Sequence, residues 1–310
     1  MLSSSFYIAA KFGNKFFDRF RETSYYWSSD KSFLLMQYLA RFVAVRQRFA
    51  QQRQSVGSII KKYSATSQVH LSNNIEAIVD TLFQDGYYQG LKLSEGKVQA
   101  FLDYAFTHPC YANRDRRGDP IYLTPELIAA CPKMPYRVAS YIHHQENSSL
   151  IKQLARDPQL LAIAEAYLGR APVYHKSELI WSFPHQQSSA NCFTHFFHSD
   201  INDYRNIKFF FYLTDVDETS GPHHYIEGSH VNRPLIGQLR APSPSAKTSR
   251  KLAKLYGKDA IKTVTGPAGY GFIGDPYSLH RGSDTAARPR LFLQIEFIMS
   301  QYRCWYYKRN

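Results

Sequence analysis

Leu35, Tyr38, Leu39, Phe42, Val45 and Phe49 recur at three- and four-residue steps, with Arg41, Arg46, Arg48 and Arg53 between them. That is the period of a helix with one apolar stripe, and it predicts a docking helix over 31–63. Further helices are predicted near 73–84 and 94–106, the second opened by Ser94. Between them, 85-DGYYQGLKL-93 reads as a turn and a short strand. Pro109, Pro120, Pro125, Pro132 and Pro135 make 107–140 rich in loops. Residues 148–169 read as two helical pieces, split by Pro158 and closed by Gly169.

After Gly169 the period changes. Short β-rich runs appear at 173–183, 206–216, 222–226, 261–265, 269–273 and 290–298, separated by the turn signals SSAN, ETSG, GPAG and GDPY. A run of strands after a run of helices predicts a mainly β, α+β chain: a sandwich or barrel with helices at its N-terminal side. The basic stretch 244–257 interrupts the strands as a helix or lid loop.

Composition narrows this only at the edges. Hydrophobic residues make up 44% of the chain, which supplies a packed core and excludes global disorder. Cys110, Cys131, Cys192 and Cys304 show no paired spacing, as expected of reduced thiols in a cytoplasmic setting. No apolar run approaches the roughly 20 residues of a membrane helix. The opening MLSSSFYIAAKFGNKFF places its lysines after its apolar residues, the reverse of a secretory signal.

The formal charge is +13, and residues 1–70 hold eleven Lys/Arg against Asp18, Glu22 and Asp30. We read 1–70 as a basic helical extension and 71–310 as the main domain. The extension is either a solvated helix face or a contact for an anionic membrane surface; nucleic acid is the less favoured partner.

The chemistry concentrates at 194-THFFHSDINDY-204. On a strand, His198 and Asp200 share a face and His195 points the other way. Two ligands do not make a redox metal site. His280, after the tight turn of 270-YGFIGDPYSLHRGSD-284, is the candidate third. Two histidines and one carboxylate on one face describe the facial triad of non-heme iron(II) oxygenases. Arg290, ten residues on, opens a strand and carries a planar fork suited to a carboxylate; Arg288 is the alternative. His223, His224 and His230 read as turn structure.

The ordered set HFFHSD, IKFFFYLTDVDETSGPHHYIEGSH, GFIGDPYSLHRGSD and RPRLFLQIEF resembles the phytanoyl-CoA dioxygenase-like iron(II)/2-oxoglutarate oxygenases, over roughly residues 75–300. The resemblance implies a double-stranded β-helix core of the jelly-roll or cupin type. It implies His198, Asp200 and His280 as iron ligands and Arg290 as the holder of the 2-oxoglutarate carboxylate. Ser283 would lie near that carboxylate, and His195 would line the co-substrate pocket. Glu227 stands where the family usually has Pro before Gly-Ser-His, and 1–70 has no counterpart. Asp200 is retained where halogenating relatives carry a small residue, so the resemblance implies hydroxylation. The co-substrates would be 2-oxoglutarate and dioxygen, and the substrate a small or lipid-like molecule, with the basic balance favouring an anion. The rival readings are a jelly-roll binding module without turnover and a basic interaction protein acting through 1–70.

Overall fold

The computed structural model describes residues 30–50, 55–115, 117–130, 133–142, 148–184, 195–239, 244–283, 285 and 287–302. The start of the basic extension, the SSAN turn, and Cys131, Cys192 and Cys304 lie outside the described residues. Cys110 is a buried free thiol.

Where one helix is predicted over 31–63, the described residues hold α1 (Lys31–Leu39), α2 (Val43–Ala50) and α3 (Val56–Lys62). The expected stripe is not the buried face. Leu35 and Tyr38 stand 57% and 58% exposed, while Phe33, Met36, Ala40 and Val43 are buried. The inward face is offset because α2 also turns Arg46 inward, where it is 5% exposed and pairs with Asp275 at 3.1 Å. A buried cation needs that carboxylate more than the surface needs its charge.

The remaining elements follow the sequence pattern closely. In chain order they are β1 (Val69–Leu71), α4 (Ile75–Asp85), β2 (Tyr87–Leu93), α5 (Glu95–Thr107), β3 (Tyr111–Ala112), α6 (Pro125–Ala130) and β4 (Val138–Ser140). Then come α7 (Ser149–Ala155), α8 (Pro158–Leu168), β5 (Val173–Ser182), β6 (Asn206–Tyr212), β7 (His223–Ile226), α9 (Leu235–Leu239) and α10 (Ala246–Tyr256). The chain closes with β8 (Ile261–Val264), β9 (Tyr270–Gly274), β10 (His280–Gly282) and β11 (Arg290–Ile298). Caps explain the helix bounds. Asn74 accepts from Ala77 N at 2.8 Å, Asp157 accepts from Gln159 N at 3.0 Å, and Gly86 and Gly169 end α4 and α8 in the left-handed region.

Among the described residues, eight strands form one antiparallel sheet, β1-β2-β9-β6-β11-β5-β4-β3, and three form a second, β10-β7-β8. An antiparallel bridge between His198 and His280 extends the small sheet by one more segment. From β5 onward the chain crosses repeatedly between the two sheets: β5 large, 198 small, β6 large, β7 and β8 small, β9 large, β10 small, β11 large. This is a double-stranded β-helix.

Alternation along the large sheet sorts two cores. Leu179, Trp181, Phe209, Phe211, Leu293 and Ile295 face the helices. Ile180, Phe210, Tyr212, Phe272 and Phe292 face the small sheet. Full burial of such rings contributes about 2–3 kcal/mol each. The helix α10 docks through Leu252 and Tyr256 on Phe197, Ile226 and Leu279, so it sits beside the segment that carries His198. None of the described helices is long and apolar enough to cross a membrane.

Candidate metal centre

His198 and His280 are opposite one another, each backbone N–H donating to the other's carbonyl at 3.0 and 2.9 Å. Asp200 is tied to the same turn by its N–H to Pro276 O at 2.8 Å. Residues 195–200 therefore belong to no named strand; they hang from β10 and the turn before it. The outcome still brings one ligand atom each from His198, Asp200 and His280 to within 4.8 Å of one another.

Both imidazoles are oriented the same way. His198 Nδ1 donates to Phe196 O and His280 Nδ1 to Ser278 O, each at 2.9 Å and each two residues back. A carbonyl can only accept, so Nδ1 carries the proton and Nε2 is left with its lone pair. Burial pushes His280 down to about 3, with His198 and Lys208 adding to this and Asp200 opposing it, so the ring is neutral at physiological pH. A neutral, pre-aimed ring is the state a metal ligand requires. Burial raises the Asp200 carboxyl, but Lys208 and the two imidazoles outweigh burial and hold it well below the usual carboxylate range. These donors fit a divalent metal of the iron type.

The motif residues around the triad set its frame. Gly86, at φ +80°, leaves room for the turn before His280: a Cβ there would lie 2.2 Å from Ser278 Oγ. Ser229 of the Gly-Ser-His turn donates to Ile226 O at 2.6 Å and accepts from Leu279 N at 2.8 Å, locking β7 to the residue before His280. His230 reaches Phe83 O at 3.1 Å.

Arg290 lies in the same interior, at the other end of β11 from the triad. It is 4% exposed, with its guanidinium 4.6 Å from the Phe292 ring centre. Nη1 donates to Gly221 O and Nη2 to Ser182 Oγ at 3.3 Å, while Nε is buried without a partner. Among the described residues no carboxylate answers its charge, which fits an anionic ligand seated there. Arg288 is exposed. Ser283 is not brought against Arg290: its hydroxyl meets His224 Nε2, and its N–H donates to Pro222 O at 3.0 Å. His195 is half-buried, three residues before the bridge.

Two residues escaped the sequence reading. His223 is not turn structure; it opens β7 inside the barrel, buried among Phe210, Phe272 and Phe292. Lys208 is buried, with Nζ 2.6 Å from Asp200 Oδ2. Its signal was legible as the one charge in the apolar run 207-IKFFFYL-213, on the same strand face as Phe210 and Tyr212. Burial lowers the Lys208 ammonium, but Asp200 and Glu296 outweigh it and its affinity for the proton rises.

Residues 129–290 match the family model described as phytanoyl-CoA dioxygenase (PhyH). No curated protein matches the chain. The solved structures similar to this chain include the following three. The non-heme alpha ketoglutarate dependent epimerase SnoN from nogalamycin biosynthesis is 18% identical, covering 74% of this chain and 84% of that one, with a TM-score of 0.48. EctD from S. alaskensis with bound Fe is 19% identical over 75% of this chain and 81% of its own, at 0.48. The non-heme alpha ketoglutarate dependent carbocyclase SnoK from nogalamycin biosynthesis is 16% identical over 76% and 87%, at 0.49. Likeness at this distance bears on neither substrate nor reaction.

Proposed function

This chain belongs to the phytanoyl-CoA dioxygenase family, and from that premise we propose that it is a non-heme iron(II)- and 2-oxoglutarate-dependent oxygenase that hydroxylates a C–H bond of a small molecule. The observation that carries the reading is a pair of features in one barrel interior. One end holds the His198–Asp200–His280 cluster, and the other a buried Arg290 with no described carboxylate partner.

In this reading His198, Asp200 and His280 hold the metal on one face. Held there, iron would supply the oxidising chemistry by which 2-oxoglutarate and dioxygen yield succinate and carbon dioxide, with the second oxygen atom going to the substrate C–H bond. Arg290 grips the far carboxylate of 2-oxoglutarate and so sets how deep the co-substrate sits. Phe210, Phe272 and Phe292 give the interior an apolar lining, which limits water at the centre. The Phe196 and Ser278 carbonyls fix the ring planes of the two histidines. Asp200 occupies a position that chloride would need in a halogenase, so hydroxylation is favoured over halogenation.

The test needs no knowledge of the substrate. Under anaerobic conditions, iron(II) and 2-oxoglutarate added to the protein should produce the visible charge-transfer band of the chelate. Asp200→Ala should abolish the band, and Arg290→Ala should require at least tenfold more 2-oxoglutarate to reach it. A folded wild-type protein that gives no band refutes the proposal.

A further inference from the structure

The barrel interior holds more charge than the triad and Arg290 use, and it is arranged as an alternating chain. Lys208 Nζ lies 2.6 Å from Asp200 Oδ2 and 3.9 Å from Glu296 Oε2. Lys176 Nζ lies 3.9 Å from the same Glu296 oxygen and 3.8 Å from Glu178 Oε1. Arg114 Nη2 ends the chain 3.3 Å from Glu178 Oε2. Strand register explains the order: Lys176 on β5 and Lys208 on β6 flank Glu296 on the central β11, and Glu178 sits one inward-facing position along.

The chain is graded from inside to outside. The side chains of Glu296 and Lys208 are 1% and 7% exposed, whereas Glu178, Lys176 and Arg114 reach 21%, 33% and 43%. Glu296 is the fixed base. One of its oxygens accepts from Asn202 and Asn206 at 2.7 and 2.8 Å. The outer end is held in place too. Asn113 and Arg114 both have left-handed backbone, at φ 51° and 60°, and Asn113 N–H donates to Val138 O at 2.8 Å. Non-glycine residues rarely adopt that conformation, and a pair of them presenting one guanidinium is a constrained feature.

The charges decide what this wall can take. As it stands, Lys208, Lys176 and Arg114 balance Asp200, Glu296 and Glu178. Asp200 is the member that the proposed reading commits to a dication, while the two carboxylates of 2-oxoglutarate answer that dication and Arg290. The wall is then left with three cations against two carboxylates. The cation whose closest partner is committed elsewhere is Lys208, the one beside the centre, which is left with Glu296 Oε2 at 3.9 Å, an oxygen it shares with Lys176. Lys208 itself is 7% exposed, and the Asp200 side chain it touches is 32% exposed. A neutral amide or an acyl chain seated there would leave a buried ammonium with only that shared carboxylate, beyond hydrogen-bond distance, which is costly; a substrate carboxylate would satisfy it with a charge-assisted hydrogen bond.

Resting on the oxygenase reading, we propose that Lys208 recognises a carboxylate on the prime substrate, so that the molecule oxidised here is a small organic acid and not a neutral or lipid-like chain. Glu296 positions Lys208, and Lys176, Glu178 and Arg114 continue the polar wall outward.

The experiment uses the full chain loaded with manganese(II), which blocks turnover, and saturating 2-oxoglutarate. Matched probe pairs are added in turn: butyrate and butyramide, benzoate and benzamide, N-acetylglycine and its amide. Paramagnetic broadening of the probe proton signals reports which of them sit near the metal. The proposal expects broadening of the acids at least tenfold stronger than of the amides. Lys208→Met should erase that difference, and Lys208→Arg should keep it. Equal broadening of acids and amides, broadening of neither, or an unchanged preference in Lys208→Met overturns the proposal. The wild-type comparison stands even if a variant fails to fold. Failure of the wild-type protein to bind manganese or 2-oxoglutarate at all strikes the oxygenase reading itself, and so is distinguishable.

Discussion

Gly86 shows how much a single position governs the centre. Its backbone is left-handed at φ +80°, and any Cβ would fall 2.2 Å from Ser278 Oγ and 2.6 Å from His230 Nδ1. Gly86→Ala should cost about 2–4 kcal/mol in urea unfolding, from strain plus the clash, and weaken manganese binding because the displaced turn delivers His280. A variant with unchanged unfolding midpoint would show that the turn yields freely. At this scale the sequence was informative where residue type and order suggest chemistry: His198, Asp200 and His280 stood out as one candidate set, and the structure brings them together as a cluster. It was uninformative where a contact crosses between strands. Nothing in the spacing of Ser283 tells that its hydroxyl meets His224, and nothing in His223 tells that it turns inward among phenylalanines.

Helices were legible wherever one face is wet and the other buried, as in α4 and α5, while β11, buried on both faces, was legible as a continuous β-rich run. The failure came at 31–63, where the stripe of exposed apolar residues misled and the buried face includes an arginine. That arginine reaches across to the turn between β9 and β10: Arg46 pairs with Asp275, which also accepts from Tyr167 Oη at 2.6 Å. Arg46→Met should therefore destabilise the protein by roughly 3 kcal/mol, since it leaves a buried carboxylate without its cation. The double variant Arg46→Met/Asp275→Asn should recover part of that loss. Urea midpoints of the single and double variants decide the matter; additive losses would mean that the pair is not a unit. The same single variant should lower manganese affinity, because α2 then no longer braces the turn before His280.

Across the whole molecule, burial of imidazoles sets how the fold responds to acid. Burial and the Arg290 charge hold His223 well below its ordinary range, burial lowers His230, and burial with Arg281 brings His224 down to about 4. In the unfolded chain each of these rings takes a proton near pH 6.5. Above that pH both states are neutral and the rings cost nothing. Below it the unfolded state binds protons that the folded state refuses, so stability falls as pH falls, by about 1.4 kcal/mol per pH unit for a fully buried ring such as His223. Melting of the metal-free protein should be nearly flat from pH 8 to 7 and drop steeply from 6.5 to 5. A flat profile throughout would show that the rings are hydrated when folded.

The bridge that joins His198 to His280 has a kinetic corollary. The two amides protect one another, each bonded to the other's carbonyl, and they belong to the residues that offer the imidazole ligands. Opening that single rung separates the two rings and exposes both amides to solvent at once. Deuterium uptake at 198 and 280 should therefore proceed at one common rate. Loading the centre should slow both equally, and the exchange clock of those two amides should keep time with the off-rate of the metal.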